Sequence, residues 1–377
     1  MLRSVLKRQL ARYGALALGF GLSAQPLSPQ SAIGRALRPP NAHLGAEFFR
    51  IVGVRELRDG RVLVADAGDR RVVVVEFERN TITAISREGR GPGEYASIAP
   101  LYALGGDSTL MSDPANGRWL LFHTDRVART VAPDDPAVRA SQGGVRGADE
   151  RGIAIVTTPP GLRGGTQLFG KEDSNAVLQV TRASGTIDTI ARLRMAPLIL
   201  QSELDKSGRP TSLSVVNPPL AAGEEPILFP DGWVAVARLG PYRIDWRSAD
   251  GRWIRGGPLP FVEQPVDARE REAYLARRAR SSGTQPAAPA DDSWPKTIPP
   301  FLSRPLLPAP DGTLLILRTP TADHPGNRYD QVDRSGRLVA WVELPAAERL
   351  AGIGARSAYV IVTDEDGLQH LKRHPWP

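Results

Sequence analysis

The apolar residues of this chain fall into short runs of Val, Ile and Leu that are bounded by Gly, Asp and Asn. Some runs alternate with polar residues and others are continuous, and both patterns are typical of β-strands in packed sheets. The clearest stretch predicts strands at residues 51–57, 62–66, 72–77 and 81–86. The pattern therefore predicts an all-β protein assembled from four-stranded antiparallel units.

The next stretch repeats the first at a fixed offset of 47 residues. Asp66 and Arg71 match Asp113 and Arg118 within a shared pattern Asp-x-x-(Asp/Asn)-x-Arg-apolar. The offset also holds on both sides of this pattern, where Glu47, Phe48, Ile51 and Leu57 match Glu94, Tyr95, Ile98 and Leu104. A period of about 40–50 residues, filled with short apolar runs and tight turns, is typical of the blades of a β-propeller.

Four further units follow, with Asp-Gly or Ser-Gly turns between their predicted strands. They cover residues 152–193, 231–255, 311–343 and 358–373, and the sixth unit lacks a predicted fourth strand. An unpaired strand edge invites aggregation, so we expect another segment to cover it. We predict that residues 31–37 pair with the sixth unit. This closes one six-bladed β-propeller of four-stranded antiparallel blades.

Three insertions interrupt the period, at residues 159–175, 198–225 and 263–300. The third contains the one clear helix pattern, in which Asp267 is the predicted N-cap and Glu270 completes a capping box. This helix has few large apolar residues, and we expect it to contribute little to the core. The Pro- and Ala-rich residues 281–292 that follow it are predicted to be flexible.

The first 24 residues have the features of an export signal. A short apolar stretch at residues 13–22 precedes an expected cleavage point after Ala24, and the basic region before it consists of Arg3, Lys7, Arg8 and Arg12. The predicted organisation is a signal peptide at residues 1–24 and a propeller at residues 25–377, with the helix-containing insertion at residues 263–300. We expect a periplasmic or secreted protein. The alternative is a basic leader on a cytosolic protein.

Composition and charge narrow the function classes. Apolar residues make up 41% and charged residues 24% of the 377 residues, as in a soluble globular protein. No run of 18 apolar residues is present, so no transmembrane segment is expected. The net charge of +7 includes four positive side chains of the predicted leader, and the remaining charge of about +3 is too small for nucleic-acid binding. The absence of cysteine excludes disulfides and a lipid-anchored lipoprotein, and we expect a monomer.

Residues 86–95 resemble the segment G-R-x-G-x-G-P-G-E-F of bacterial six-bladed β-propellers related to NHL-repeat proteins. Ser86 replaces the usual glycine and Tyr95 the usual phenylalanine. The stretches that begin near Asp66 and Asp113 resemble the NHL core V-x-D-x-x-N-x-R-I/V. The resemblance implies the propeller fold. It says little about activity, because members of this family are largely exported bacterial proteins of unassigned function.

Five side chains are candidates for ligand binding on one face of the propeller. Loops that leave the outermost strand and loops that join the two middle strands emerge on the same side of a blade, and they carry Arg87, Arg90, Arg238, Arg318 and His324. Arginines around a channel mouth favour a ligand with a carboxylate, phosphate or sugar-acid group. The alternative for the first two is a structural loop in which Glu94 neutralises an arginine. Our first interpretation is a non-catalytic exported propeller that binds a small molecule, a glycan or a protein on this face.

No catalytic residue is assigned, and whether the protein is an enzyme stays open. Motifs for a serine nucleophile elbow, a zinc protease, a phosphate loop or a dinucleotide site are absent from the sequence. Because they recur in adjacent repeats, the Asp66–Arg71 and Asp113–Arg118 pairs are interpreted as salt bridges that stabilise turns. His370 and His374 lie on one face of a predicted strand with no third ligand, so no metal ligand is predicted.

The alternative function is a channel-centred hydrolase or lyase. Propeller lactonases of the gluconolactonase type hold a divalent metal in the central channel with Glu, Asn and Asp drawn from different blades, so a divalent metal in the channel belongs to this alternative, although no cofactor is predicted from the sequence. Carboxylates or imidazoles that converge in the channel would favour an enzyme. Arginines, aromatic rings and backbone groups in that place would favour a binding protein.

Overall fold

Strands account for most of the regular structure in the computed structural model. The structure describes residues 32–132, 144–158, 175–181, 187–197, 199–204, 207, 210–282 and 289–376. The segment Ala32–Pro377 forms one compact unit. The predicted leader at residues 1–24, most of the predicted insertion at residues 159–175 and part of the segment at residues 281–292 lie outside the described residues.

The two sequence repeats fold into two four-stranded antiparallel sheets. They follow two short strands, β1 (Ile33–Arg35) and β2 (Ala42–Phe48). The first sheet contains β3 (Ile51–Glu56), β4 (Val62–Asp66), β5 (Arg71–Glu76) and β6 (Thr81–Ala84). The second contains β7 (Leu101–Gly105), β8 (Ser108–Asp113), β9 (Arg118–His123) and β10 (Arg126–Val131). The strands predicted in both repeats are confirmed, with small shifts at their ends.

Two buried aspartates hold the connections that lead into these sheets. Asp66, at the end of β4, accepts hydrogen bonds from the backbone N–H groups of Phe49 at 3.3 Å and Arg50 at 2.9 Å. Asp113, at the end of β8, does the same for Ala96 at 3.2 Å and Ser97 at 2.9 Å. The donors are related by the same 47-residue offset as the acceptors. The repeat therefore conserves an interaction between distant segments as well as a strand pattern.

The middle of the chain forms one sheet of eight strands. Its first half contains β11 (Val145–Ala148), β12 (Ala154–Thr158), β13 (Asn175–Thr181) and β14 (Ile187–Arg194). A separate hairpin of β15 (Ile199–Leu204) and β16 (Pro210–Val216) follows. The second half contains β17 (Glu225–Leu228), β18 (Val234–Leu239), β19 (Tyr242–Arg247) and β20 (Trp253–Arg255). The inner strands β11 and β17, which the sequence pattern did not predict, join the two halves.

One parallel pairing, Gly147 with Leu228, makes the link between β11 and β17. Gly147 has φ +125°, and a Cβ there would overlap the carbonyl oxygen of Leu228. Only glycine permits such a close approach with this backbone conformation. The sequence predicts two separate sheets in this region, whereas this contact merges them into one.

The remaining strands form two sheets, and each includes a strand from the start of the described chain. One contains β21 (Leu306–Pro308), β22 (Leu314–Leu317), β23 (Asn327–Val332) and β24 (Leu338–Leu344), with β1 added in parallel to β24. The other contains β25 (Glu348–Ile353), β26 (Ser357–Thr363) and β27 (Gln369–Pro375), with β2 antiparallel to β27. The prediction that residues 31–37 pair with the last unit is wrong, because β1 pairs with β24 and the partner of β27 is β2.

The sheets are arranged as a β-propeller around a central cavity. The strands β3, β7, β11, β17, β21 and β25 line this cavity, and each contacts the next in that order, with β25 contacting β3. In the described part of the chain the strands form five sheets and one hairpin, whereas the sequence predicts six separate blades. The difference arises from the contact between β11 and β17.

Helix α1 (Ala268–Ser282) lies in the third predicted insertion. The N–H of Glu270 donates to Asp267 Oδ1 at 2.9 Å, which confirms the predicted N-cap. The buried Glu270 carboxylate accepts the N–H of Ala322 at 2.9 Å. Tyr274 packs edge-on against Trp294, within a small cluster that also includes Leu220, Val266 and Ile298. Among the described residues of this cluster only Tyr274 belongs to the helix, so the helix adds little to the apolar core, as its few large side chains predict.

Two short 3-10 helices occur at Pro114–Asn116 and Asp291–Ser293. The first forms the turn between β8 and β9, and the second overlaps the end of residues 281–292, which were predicted to be flexible. No helix in the described residues is long and apolar enough to cross a membrane.

The apolar core lies between neighbouring sheets. Phe48 of β2 is completely buried and packs in one cluster with Ile51, Val75 and Tyr359. This cluster joins the first sheet to the sheet of β25–β27, because its members come from both. Burial of such side chains is the main stabilising term in a propeller blade interface.

We expect Phe48→Ala to lower the free energy of unfolding by about 3–5 kcal/mol, since it removes a fully buried ring and leaves a cavity. The matched control is Phe49→Ala, because Phe49 is 60% exposed, and its effect should stay within about 0.5 kcal/mol. Urea denaturation followed by tryptophan fluorescence measures both. Equal effects of the two substitutions would contradict the placement of β2 in the core.

Candidate functional site

The central cavity has a volume of about 750 Å³. Its wall is made mainly by the first strand of each four-stranded unit, together with the residues that lead into or out of these strands. Apolar side chains dominate the wall, and they include Val54, Leu101, Ile227, Leu306 and Leu350. The described wall contains no Asp, His, Ser, Thr, Asn or Gln. Its chemistry is therefore set by a small group of charged and phenolic side chains.

Arginines outnumber acidic residues in this wall. The charged side chains that line the cavity are Arg55, Arg58, Arg146, Arg304, Arg349, Glu56 and Glu225, and the phenols are Tyr102 and Tyr329. Five positive charges face two negative ones in a low-dielectric enclosure, which raises the local electrostatic potential.

Arg55 of β3 is held by neutral groups alone. Its guanidinium donates to the carbonyl oxygens of Ser108 and Gly106, each at 2.6 Å, and to the hydroxyl of Thr109. Burial lowers the pKa of Arg55 to about 10, and the nearby carboxylate of Asp107 opposes this only partly. Asp107 itself accepts the N–H of Arg58 at 2.8 Å. Arg55 therefore stays a cation without a carboxylate in direct contact among the described residues.

Arg349 of β25 is in a similar position. Its guanidinium donates to the carbonyl oxygen of Ile51, and it forms no ion pair with the described residues. Burial lowers the pKa of Arg349. The nearby phenol of Tyr329 accepts the N–H of Leu350 at 3.0 Å, and burial raises the pKa of Tyr329 to about 12, so this phenol supplies no counter-charge.

Glu56 is occupied by contacts within the wall. Its carboxylate accepts the N–H of Ala355 at 3.0 Å and the hydroxyl of Tyr359 at 2.5 Å. Burial, followed by the hydrogen bond to Glu56, raises the pKa of Tyr359. This arrangement couples β3 to β25 and β26, and it leaves little of the Glu56 carboxylate available for another partner.

Glu225, at the start of β17, pairs with Arg146 of β11 at 3.4 Å. Beside them the hydroxyl of Tyr102 donates to the carbonyl oxygen of Val145 at 2.8 Å. Burial raises the pKa of Tyr102, although Arg146 and Arg304 act in the opposite direction. Both carboxylates of the described cavity wall are thus already engaged.

Three of the five side chains predicted on the loop face are paired with their own carboxylates. Arg87 binds Glu94 at 2.7 Å, which agrees with the structural alternative for this loop. Arg238 binds Glu224 at 2.7 Å and Asp245 at 3.0 Å. In the next unit, Arg318 binds Asp330 at 2.8 Å, and its guanidinium also stacks over the rings of Tyr242 and Phe261.

The other two predicted side chains are exposed. Arg90 forms no ion pair with the described residues, and its backbone carbonyl accepts a hydrogen bond from Arg118. His324 is held through its backbone by Thr321. Among the described residues no carboxylate is shared between any two of the five predicted side chains. A ligand site built from these five residues stays a prediction.

The repeated Asp–Arg pairs are salt bridges, as predicted. Arg71 lies 3.5 Å from Asp66, and Arg118 lies 3.4 Å from Asp113. The C-terminal histidines have separate partners, since His370 contacts Asp364 at 2.8 Å and His374 contacts the carbonyl oxygen of Arg38 at 2.9 Å. The described residues contain no group of three or more His, Cys, Asp or Glu side chains arranged to hold a metal ion.

The cavity residues were not predicted from the sequence. One signal was available, because Arg55 and Tyr102 occupy the same position in the two repeats and both line the cavity. Arg146, Glu225, Arg304 and Arg349 lie on β11, β17 and β25 or just before β21, and these inner strands do not show a clear periodicity. Their convergence depends on ring closure, which brings distant parts of the chain together.

No protein-family model matches the chain, and no curated protein matches it. Among solved structures, similarity is found to regucalcin, a calcium-binding protein from Agrobacterium tumefaciens, with 11% identity and a TM-score of 0.43 over 92% of this chain and 97% of that chain. Virginiamycin B lyase from Staphylococcus aureus shares 11% identity with this chain and gives a TM-score of 0.43, and the match covers 88% of this chain and 97% of the lyase chain. A proposed exported protein from Bacteroides fragilis shares 12% identity with this chain and gives a TM-score of 0.47, and the match covers 90% of this chain and 93% of the other chain.

The Glu94 carboxylate should make the stability of the loop at residues 86–95 depend on pH. Its pKa is lowered below the ordinary value of 4.5, first by the hydrogen bond from the Gly91 N–H and then by Arg87. The stabilisation is therefore fully present above pH 4.5 and is lost as the pH falls through the lower pKa of the folded state. We expect Glu94→Gln to melt below the wild type at pH 7, with the difference in Tm shrinking below pH 4.5.

The control for this experiment is Glu88→Gln in the same loop. Glu88 forms an exposed ion pair with Arg70, and such pairs contribute about 0–1 kcal/mol. Differential scanning fluorimetry between pH 3 and pH 8 compares the three proteins. A difference between Glu94→Gln and the wild type that stays constant across this range would contradict the assignment.

Proposed function

We propose that this protein binds a small organic anion in its central cavity. The observation that carries the proposal is the state of Arg55 and Arg349. Both line the cavity, both are held by backbone carbonyl groups, and neither pairs with a carboxylate of the described residues. Both guanidinium groups are partly buried, and removing a cation from water without a counter-charge is costly, so an anionic ligand would supply the missing partner.

The character of the wall favours a small molecule over a glycan or a protein. Glycans are bound through many hydrogen bonds to polar side chains, and the described wall has no Asp, Asn, Gln, Ser or Thr. Leu101, Ile227 and Leu306 offer apolar surface instead. Ligand pockets commonly combine such a surface with a few placed polar groups that fix orientation. The expected ligand has an apolar body and an anionic group.

The same wall gives less support to a channel-centred hydrolase or lyase. General acid–base catalysis needs a carboxylate or imidazole that can reach the substrate. In the described wall the candidates are Glu56 and Glu225, and both are bonded to protein groups. We therefore propose a binding protein without a resident metal or other cofactor.

We also propose that the propeller has six blades. The eight-stranded sheet consists of two halves of four strands each, joined by the single pairing of Gly147 with Leu228, so it counts as two blades. The pairing of β2 with β27 gives the last blade its fourth strand and closes the ring. This architecture is that of the bacterial propellers that residues 86–95 resemble. An experimental structure in which β2 lies away from β27 would contradict the closure.

Residues 1–24 are proposed to be a cleaved export signal, with residues 25–377 as the mature propeller and residues 263–300 as an insertion in it. A periplasmic or secreted monomer is the form that this organisation predicts. N-terminal sequencing of the mature protein should recover Gln25 as the first residue. Recovery of Met1 from a soluble cytosolic pool would contradict export.

A matched pair of fluorescent probes tests the proposed site. 1-Anilinonaphthalene-8-sulfonate and N-phenyl-1-naphthylamine share one apolar body, and only the first carries a negative charge. We expect the sulfonate to bind at one saturable site and the neutral probe to bind at least about 10-fold more weakly, since charge-assisted hydrogen bonds contribute about 1.5–3 kcal/mol. Equal affinities of the two probes would contradict an anion site.

Variants locate the site in the cavity. Arg349→Gln should weaken sulfonate binding by about 10–100-fold and leave the neutral probe nearly unchanged. Arg349→Lys keeps the charge and should recover part of the affinity. The matched control is Arg79→Gln, which removes an exposed arginine on the turn after β5. Melting curves identify any variant that is unfolded. Loss of sulfonate binding in the Arg79 variant as well would overturn the assignment to the cavity.

A further inference from the structure

Arg55 and Arg349, which have no carboxylate partner among the described residues, lie at opposite ends of the cavity. Arg349 belongs to the start of β25, and its guanidinium reaches the carbonyl oxygen of Ile51, the first residue of β3. Ile51 directly follows the connection whose Phe49 and Arg50 N–H groups bind Asp66. This position marks the end of the cavity where the first strands enter it.

Arg55 marks the other end. It lies near the end of β3, and its guanidinium reaches the carbonyl oxygens of Gly106 and Ser108 in the turn between β7 and β8. Arg58 lies in the turn after β3, and a Cβ on Gly106 would be 3.6 Å from its guanidinium carbon. Two positive groups are therefore placed where the first strands leave the cavity.

Strand geometry gives the distance between the two ends. Ile51 and Arg55 are four residues apart on β3, and a rise of about 3.3 Å per residue separates them by roughly 13 Å. The stretch between them is apolar, since Val52, Gly53 and Val54 line the cavity there, and Leu101 and Leu350 line it from the neighbouring strands. A single carboxylate or sulfonate is too small to contact both arginines.

The other charged groups of the wall agree with this division. Arg146, Arg304 and Glu225 lie at or before the starts of β11, β21 and β17, at the same end as Arg349. Glu56 is next to Arg55, but its carboxylate is bonded to Ala355 and Tyr359. Each end therefore has an arginine that is available to an anionic group, and the apolar stretch separates them.

We infer that the ligand is an elongated molecule with an apolar middle and an anionic group at each end. One end contacts Arg349, the other contacts Arg55, and the apolar middle lies against β3, β7 and β25. The inference rests on the proposed function, because it specifies which organic anion the cavity takes. Burial lowers the pKa of both arginines, and a bound anion at each end would favour their charged forms again.

Isothermal titration calorimetry with three carboxylates tests the inference. Dodecanedioate has an extended chain long enough to reach both ends, dodecanoate has the same chain with one carboxylate, and succinate has two carboxylates on a chain too short to span the cavity. We expect dodecanedioate to bind the wild type about 10-fold or more tightly than either of the others. Equal affinities of dodecanedioate and succinate would mean that charge alone decides, and would overturn the inference.

Single substitutions give the second measurement. In Arg55→Gln and in Arg349→Gln, the advantage of dodecanedioate over dodecanoate should disappear, because each variant retains only one anion contact. The control Arg79→Gln should keep the wild-type ratio. Arg55→Lys and Arg349→Lys keep the charge and should restore part of the ratio, which separates loss of contact from loss of folding. A ratio that stays unchanged in both glutamine variants would overturn the inference.

The outcomes separate this inference from the proposed function. If dodecanoate and dodecanedioate bind equally well to the wild type and both bind weakly to Arg349→Gln, the cavity takes a singly charged anion and the two-ended ligand is wrong. If neither carboxylate binds and the sulfonate probe does not distinguish Arg349→Gln from the wild type, the proposed function is wrong as well.

Discussion

Two buried carboxylates fix how consecutive sheets of the early repeats are joined. Asp66 and Asp113 are inaccessible to solvent, and a buried charge is tolerated only when several donors surround it. The preceding connection supplies two backbone N–H donors to each carboxylate, and Arg71 and Arg118 lie alongside. These hydrogen bonds fix the path of each connection. The path determines where the first strand of the next sheet, β3 or β7, enters the ring. The cavity wall is made of such first strands.

The cavity wall is positively charged because acidic side chains pair with arginines elsewhere in the protein. Aspartates within β19 and β23 pair with Arg238 and Arg318, and Glu56 binds a phenol and a backbone amide. The described cavity wall contains five arginines. Two of them, Arg55 and Arg349, donate hydrogen bonds only to carbonyl and hydroxyl oxygens among the described residues. An excess of positive charge in the centre thus coexists with a chain whose net charge outside its first 24 residues is only about +3.

The sequence predicted the local features of the fold and failed where distant segments meet. The 47-residue repeat, its Asp–Arg pairs and the Asp267 cap depend on neighbouring residues, and all three are present. The inner strands β17 and β21 are short and contain proline, so their sequences show no periodicity that would predict a strand. β2 was missed because its Gly and Glu residues disfavour a strand, and pairing with β27 compensates. Arg349 reaches the cavity only through this long-range arrangement.

The pairing of β2 with β27 also constrains when the sheet of β25–β27 and β2 can form during synthesis. β2 ends at residue 48 and β27 begins at residue 369, so β2 leaves the ribosome long before its partner is synthesised. Contacts between such distant segments form slowly, because a long loop must close first. The final sheet is therefore assembled after translation has passed β27.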